Sequence, residues 1–461
     1  FYEGEQKVKN NITTINLINK YLIKNNHSQL QWLKSIYINN TGYTLRKLKR
    51  FDESLAFLED NINFEEIQNL DPSMVIEYLE IIDDIGMLKE NTFKGMNKKK
   101  KYGYGFDDYK KATELYFEKI IENNDYFLTA KDFEDNLSKI ESLLTHFIYS
   151  RMSYYREILP TINSISQEDK IKMYWKDFDL SIRAHQLLMS HEVGRSVDYL
   201  ESKIFTQNAK SKKIYKNKIK LEDELNILKG HLLNSSDKDS NIIMDKYIQV
   251  KNNLKSTENK LSQFDYKFSE FFDINYRSFN EINSYINDDE AILIINRDKY
   301  GYNIQALSKN FNWTWYINDI EKIEKIKNYT NSSYSKFPYS ESSEIYKSLR
   351  LDQINNENFN NNKIKHIYIY ANKEMTTFPY WLLLSEKPDK FNSENISSYS
   401  WFSQKYSYSI LPSLNYFVLN KKLKKWTLGI SFDPNSLKIL SVQQDSNADK
   451  VGIKVDDKII E

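Results

Sequence analysis

Lys365 to Leu384 reads K-H-I-Y-I-Y-A-N-K-E-M-T-T-F-P-Y-W-L-L-L. Ile367 to Tyr370 is a short run of β-branched and aromatic residues bounded by polar ones, which predicts a buried strand. Ala371 to Glu374 predicts a polar turn. Phe378-Pro379-Tyr380-Trp381-Leu382-Leu383-Leu384 is too rich in large apolar residues for a surface loop. Pro379 suits the first turn of a short helix, where its missing N–H leaves no bond unmade. Strand, turn and short helix are the unit of an α/β core.

The whole chain has 461 residues, a length expected to hold two to four domains at roughly one per 150 residues. Only 11 Gly and 7 Pro argue for long helices with few tight turns. With 34 Tyr and 14% aromatic residues, large cores can be buried, and wholesale disorder is excluded. Basic and acidic residues nearly cancel, 65 against 64. No global field exists to hold a phosphate backbone, so nucleic acid is not an expected partner. Cys is absent, which excludes disulfides, thiolate metal sites and a cysteine nucleophile within this chain. No run of about 18 apolar residues predicts a transmembrane helix. The start at Phe1 without Met, and the stop at Glu461 just after Ile459-Ile460, read as cuts within a longer protein.

Residues 1–200 read as successive helices. In the clearest unit, Leu30 to Ile62, Gly42 marks a close helix approach and Lys47 to Arg50 a turn. Phe51, Ser54 and Leu58 share one face of a second helix. Tyr109, Ala112 and Tyr116 repeat the triplet, with Val75 to Leu88 as their first helix and Gly86 near its end. This spacing resembles the tetratricopeptide repeat, which implies a stacked solenoid with a concave protein-binding surface. The insertion Lys89 to Phe106, with Lys98 to Lys101, reads as a solvated loop, and later repeats follow from helical periodicity alone. Residues 201–285 predict a long antiparallel helical hairpin. Leu221, Leu225, Leu228 and Leu232 form one seam. Tyr247, Val250, Leu254, Leu261, Phe264 and Phe268 form the other, with Thr257 its polar member and Asn234 to Asn241 the loop.

At Asp289 the period switches to two. Ala291 to Asn296 predicts a buried strand and Asp298 to Gly301 a turn. Tyr302, Ile304 and Ala306, then Phe311, Trp313, Trp315 and Ile317, alternate as strands with one covered face. Ile320, Ile323 and Ile326 predict a helix. Asn331 to Ser343 and Asn355 to Asn362 predict surface loops. Tyr406 to Ile410 predicts a strand, and Ser413 an N-cap for a helix from Leu414 to Leu423.

Three segments in this order resemble the CHAT domain, a caspase-like cysteine peptidase domain found behind tetratricopeptide repeats. They are Asp289-Glu290-Ala291-Ile292-Leu293, the Phe378 to Leu384 block, and Tyr408 to Leu414. The turn Ala371-Asn372-Lys373 departs from the family's Pro-Asp-Gly-like turn, and Tyr408 to Leu414 holds one extra residue. The resemblance covers Asp289 to Lys425. It implies a His–Cys dyad on strands C-terminal to everything in this chain, so no catalytic residue is expected here.

After Trp426 the chain resembles the start of a bacterial protease-associated PDZ domain. The resemblance implies that Leu428, Gly429 and Ile430 form the loop whose N–H groups meet a peptide's terminal carboxylate. Ala448, Gly452-Ile453 and Asp456 to Ile459 extend the match, with Asp456 in place of Gly.

The expected fold class is therefore α plus α/β. A helical solenoid (1–200) and hairpin (201–285) precede the first part of a caspase-like domain (286–425) and the first half of a PDZ-like β domain (426–461). Two functions are expected: the sensor and N-terminal part of a bacterial CHAT-type cysteine peptidase, or a non-catalytic protein-binding scaffold. Partners are expected to be proteins or peptides. No cofactor or metal is expected, since the six histidines show no ligand spacing. His366 reads as a strand-entrance residue, and Asp83-Asp84 and Asp107-Asp108 as solvated helix ends. The PDZ-like segment points to an exported protein and the Asn/Lys/Ile/Tyr-rich composition to an AT-rich bacterial genome. Oligomeric state is open.

Overall fold

The computed structural model describes residues 2–22, 28–70, 72–92, 103–121, 130–205, 209–234, 237–262, 276–298, 301–309, 311–318, 320–331, 337–354, 364–389, 397–425, 430–432, 438–442 and 452–457. It is mainly helical, with a five-stranded mixed sheet in its second half.

The helical half opens with α1 (Tyr2–Leu22), α2 (Ser28–Lys47), α3 (Phe51–Asn61), the short α4 (Phe64–Gln68), α5 (Pro72–Thr92) and α6 (Phe106–Tyr116). Both glycines singled out from sequence sit at close helix contacts. A Cβ on Gly42 would meet Leu58 at 2.7 Å, and one on Gly86 would meet the Tyr109 ring at 2.4 Å. The Ser54 hydroxyl donates to the Gly42 carbonyl at 2.9 Å, so the small residue of the triplet bonds where the helices nearly touch. Ser54, Leu58, Tyr109, Ala112 and Tyr116 are buried. Phe51 is not: it is the first residue of α3 and stays 44% exposed, so the packed face begins at Ser54. The Lys98 to Lys101 run lies outside the described residues.

Of the acidic pairs, Asp107 is exposed as expected, but the other three acids are not simply solvated. Asp83 lies inside α5 and is buried, with its carboxylate 2.7 Å from His146 Nδ1. Asp84 pairs with Arg46, and Asp108 lies 2.9 Å from Lys89. Each partner comes from another helix, so local sequence does not reveal it.

Beyond the second helix pair come α7 (Ala130–Ser153), a π-helical turn (Tyr154–Ile158) and a 3₁₀ turn (Leu159–Thr161). The 39-residue α8 (Gln167–Phe205) follows. Then α9 (Ala209–Asn234) and α10 (Asp237–Ser262) pack as a hairpin through Leu225, Leu228, Val250 and Leu254. Helix α10 begins at Asp237, inside the expected Asn234 to Asn241 loop. Thr257 is buried in the seam and donates to the Asn253 carbonyl at 2.8 Å, which makes its hydroxyl tolerable there. Phe264 and Phe268 lie outside the described residues.

Helix α11 (Phe279–Tyr285) leads into β1 (Glu290–Asp298), β2 (Gly301–Leu307) and β3 (Asn312–Ile317). Helices α12 (Ile320–Asn331) and α13 (Tyr339–Ser348) then connect to β4 (His366–Ala371). Helix α13 starts after Pro338, inside the expected Ser-rich loop, and buries Ser342 and Ser343. Asn355 to Asn362 lies outside the described residues. The sheet order is β3-β2-β1-β4-β5, where β5 is Ser407–Leu411. Strands β1–β2 and β2–β3 pair antiparallel, and β1–β4 and β4–β5 parallel. Strand β2 is buried on both faces rather than one, because helices cover the face that alternation assigns to solvent.

After β4 the chain forms one turn of helix, α14 (Lys373–Thr376), where a polar turn was expected. The Phe-Pro block is a single 3₁₀ turn, Tyr380–Leu382, with Pro379 as its N-cap. It stops there because Leu383 is extended and Leu384 bridges Trp401. Ser342 fixes this segment: its hydroxyl accepts from Leu384 N–H at 2.9 Å and donates to the Leu382 carbonyl at 2.7 Å. A short α15 (Phe402–Lys405) precedes β5. Ser413 accepts from Tyr416 N–H at 2.9 Å and so caps α16 (Leu414–Lys425) as expected.

The last described elements are β6 (Ile430–Phe432) and β7 (Ile439–Val442), an antiparallel pair. Asp456, which stands where the PDZ-like pattern has Gly, adopts a φ of 77°, the left-handed region that favours Gly. It also lies 2.8 Å from Lys438.

Gly86→Ala is expected to destabilise the protein more than Gly42→Ala. Overpacking against the rigid Tyr109 ring costs about 1–3 kcal/mol, while the gain in helix propensity is about 1 kcal/mol. At Gly42 the neighbour is a movable Leu58 methyl, so the two effects nearly cancel. Urea unfolding of both variants measures the order.

Candidate functional site

On β2, Tyr302, Ile304 and Ala306 enter the sheet's apolar core with Ile295 and Ile369. Asn303 and Gln305 alternate onto the opposite face with Leu307, under helices α7 and α8. Both polar side chains are almost wholly buried. The cover matches them in kind. Asp177, Ser181 and His185 recur at every fourth position of α8, which puts them on one helical stripe. Gln305 donates its amide to the Ser181 hydroxyl, the Asn303 amide faces the Met152 sulfur of α7 at 3.8 Å, and neither His185 ring nitrogen has a hydrogen-bond partner among the described residues.

Arg151, near the end of α7, is the largest fully buried side chain in this seam. Its guanidinium carbon lies 4.9 Å from the Phe178 ring centroid, 5.1 Å from that of Tyr174 and 5.7 Å from that of Tyr155. One of its nitrogens lies 3.5 Å from the Thr314 hydroxyl on β3. Burial pulls the guanidinium below its ordinary pKa, and the neighbouring tyrosines and Asp177 oppose that pull. Asp177 is itself fully buried. It accepts from the Tyr155 hydroxyl at 2.5 Å, and Lys110 of α6 stands 2.8 Å away. Burial and the bond to Asp177 push the Tyr155 phenol above the usual tyrosine range. Tyr174 donates to Asn312 at 2.9 Å, tying α8 to the start of β3.

His185 is held neutral. Burial, then the Arg151 charge, lower its pKa from 6.5 to about 3, against a smaller opposing effect of Asn303. A neutral imidazole between a cation and an amide does not act as a base near neutral pH. This seam joins elements of both halves. It locks α6, α7 and α8 to β2 and β3 through desolvated polar contacts that are costly to break singly.

Most of the expected carboxylate-binding loop falls outside the described residues. Leu428 and Gly429 lie outside them, and Ile430 opens β6, paired with Val442. His366 stands at the entrance of β4, as expected, with Nδ1 2.7 Å from the Ser407 hydroxyl. His27 lies outside the described residues. Sequence reading missed Arg151, Asp177, Asn303 and Gln305, and it counted His185 only among six histidines without ligand spacing. The available signal was the four-residue recurrence along α8 together with the polar half of β2.

The contribution of His185 to stability is expected to fall between pH 7 and pH 5. Below pH 6.5 the unfolded His185 takes up a proton that the folded one refuses until about pH 3, so acid favours the unfolded chain. The loss attributable to His185 at pH 5 is about 2 kcal/mol. His185→Gln should remove that part of the pH dependence in urea unfolding measured at both pH values.

No family model, curated protein or solved structure matches this chain.

Proposed function

We propose that the chain is the sensor and N-terminal part of a bacterial CHAT-type, caspase-like cysteine peptidase, with the His–Cys dyad carried beyond Glu461. The observation that supports this reading is a convergence in space. The three motif segments, far apart in sequence, belong to three neighbouring parallel strands. Asp289 to Leu293 runs into β1, the Phe378 to Leu384 block follows β4, and Tyr408 to Leu414 spans β5 and the start of α16. Strand β5 is at the sheet's edge, with β4 as its partner among the described residues, so the sheet has a side on which further strands could add.

In this reading the helical half binds a protein or peptide partner, and the seam around Arg151 carries that event to the sheet. The segment after Trp426 is the start of a PDZ-like module that captures peptide C-termini through Leu428, Gly429 and Ile430, which favours an exported protein. A second reading is a protein-binding scaffold with a pseudo-peptidase fold. The complete absence of Cys from the chain favours it, since the chain holds no thiol nucleophile.

Sequencing the coding DNA downstream of Glu461 and expressing the continued protein separates the two. The peptidase reading expects a His segment and a Cys downstream, and proteolysis that is abolished by Cys→Ala. A downstream sequence without that pair, or an intact pair with no peptidase activity toward any bound partner, overturns it in favour of the scaffold.

A further inference from the structure

A cleft of about 660 Å³ opens where α8, α11 and the β2–β3 turn meet. This is within the size range of small-molecule sites. Its lining is unusual for such a site: three aromatic rings and seven polar side chains, with no aliphatic residue. Helix α8 contributes Trp175 and Lys176, α11 contributes Asn283, and the turn contributes Lys309 and Asn312. The cleft shares no residue with the CHAT-like segments or with the PDZ-like loop.

Each class of lining group asks for a different part of a ligand. The Trp175 indole lies on the Phe279 ring, with centroids 5.3 Å apart and an interplanar angle of 25°. It remains 41% exposed, which leaves aromatic surface for a flat ring to cover. Asn283 Oδ1 is buried and has no hydrogen-bond partner among the described residues. Asn312 Oδ1 accepts from Tyr174, so its NH₂ is the group turned to donating.

Two lysines at the cleft offer contacts to an anion. Asp179, its one acidic lining residue, already accepts from the Phe279 N–H at 2.5 Å, and burial raises its pKa. Lys176 is held by Glu114 at 2.9 Å, and Lys309 stands 3.6 Å from Asp288. Neither of those two carboxylates lines the cleft. The Lys309 pair is solvent-exposed, and such pairs contribute only about 0.2–1 kcal/mol, while Lys176 is itself exposed but meets a buried Glu114 oxygen. A phosphate carrying nearly two charges can compete for both ammonium groups.

An apolar ligand would leave the Asn312 amide unmet. An inorganic anion would leave the indole uncovered, and a neutral sugar would not use the lysines. We propose that this cleft binds a nucleoside phosphate, with the base stacked on Trp175, a base or ribose edge on the Asn312 amide, and the phosphate between Lys176 and Lys309. Because its walls come from both the helical half and the sheet, an occupant would bind them together and stabilise that docking by mass action. Binding does not depend on whether a His–Cys pair follows Glu461, so the failure of either proposal leaves the other standing.

The test uses the full chain and N-methylanthraniloyl-labelled AMP, read by energy transfer from tryptophan. Unlabelled AMP, GMP, CMP, UMP and inorganic phosphate serve as competitors. The expected result is one saturable site per chain, displaced by at least one nucleotide well below the phosphate concentration needed. Lys309→Glu should weaken binding about tenfold or more and Lys309→Arg should restore it. Lys176→Glu, on a side chain 71% exposed, repeats the reading if the first variant misfolds. Three results would overturn the proposal: no displacement by any nucleotide up to about 1 mM, equal displacement by phosphate alone, or binding that ignores both charge reversals in folded protein.

Discussion

A guanidinium removed from water, and the carboxylate that accompanies it, set the terms for the rest of this molecule. Arg151 has no solvent to share its charge with, so aromatic faces and Asp177 must do so. Asp177 in turn answers to Lys110 and Tyr155. Removing one member of such a set leaves the others uncompensated in a low-dielectric interior, which costs far more than losing a surface pair. The consequence is architectural. Strand β2 carries Asn303 and Gln305 on a buried face covered by α7 and α8, where Ser181 takes the Gln305 amide and the Met152 sulfur lies over that of Asn303. The helical half is thus a structural requirement of the sheet, and not merely a neighbour tethered to it.

This dependence explains which parts of the fold could be read from sequence. Local signals were legible. The dense β-branched run became β4, and Ser413 became the cap of α16. The heptad spacing around Leu225 and Leu254 became a packed hairpin, and Gly42 and Gly86 became close contacts between helices. Signals that need a distant partner were not. Alternation along β2 says that one face differs from the other, but not whether water or a helix lies over the polar one. Asp83 and Asp108 look like ordinary helix-end acids until His146 and Lys89 arrive from elsewhere. Pro338 reads as a loop residue, although the next residue begins α13.

The candidate sites were less legible than the fold, for a related reason. The carboxylate-binding loop expected at Leu428 to Ile430 is a run of adjacent residues, the easiest kind of pattern to notice. The seam and the cleft are each assembled from several elements, with contacts spanning more than a hundred residues, such as that between Tyr174 and Asn312. No short motif encodes either. What the sequence did carry was the stripe of Asp177, Ser181 and His185, whose polar side chains on a core-facing helix conflict with simple amphipathicity. Such conflicts mark the places where a non-local partner must exist.

Helix α8 is unbroken from Gln167 to Phe205, about 58 Å at the usual rise per residue. Its seam contacts end near His185, so the remaining turns reach roughly 30 Å beyond that point toward the hairpin. A rigid-body tilt would make the helix a lever with its fulcrum in the polar seam. Each degree of tilt about His185 sweeps the Phe205 end through roughly half an ångström. Read in reverse, a push of an ångström or two at the hairpin reaches the fulcrum as a small rotation. Desolvated hydrogen bonds tolerate that poorly, so the long arm gives a distant contact mechanical advantage over the sheet.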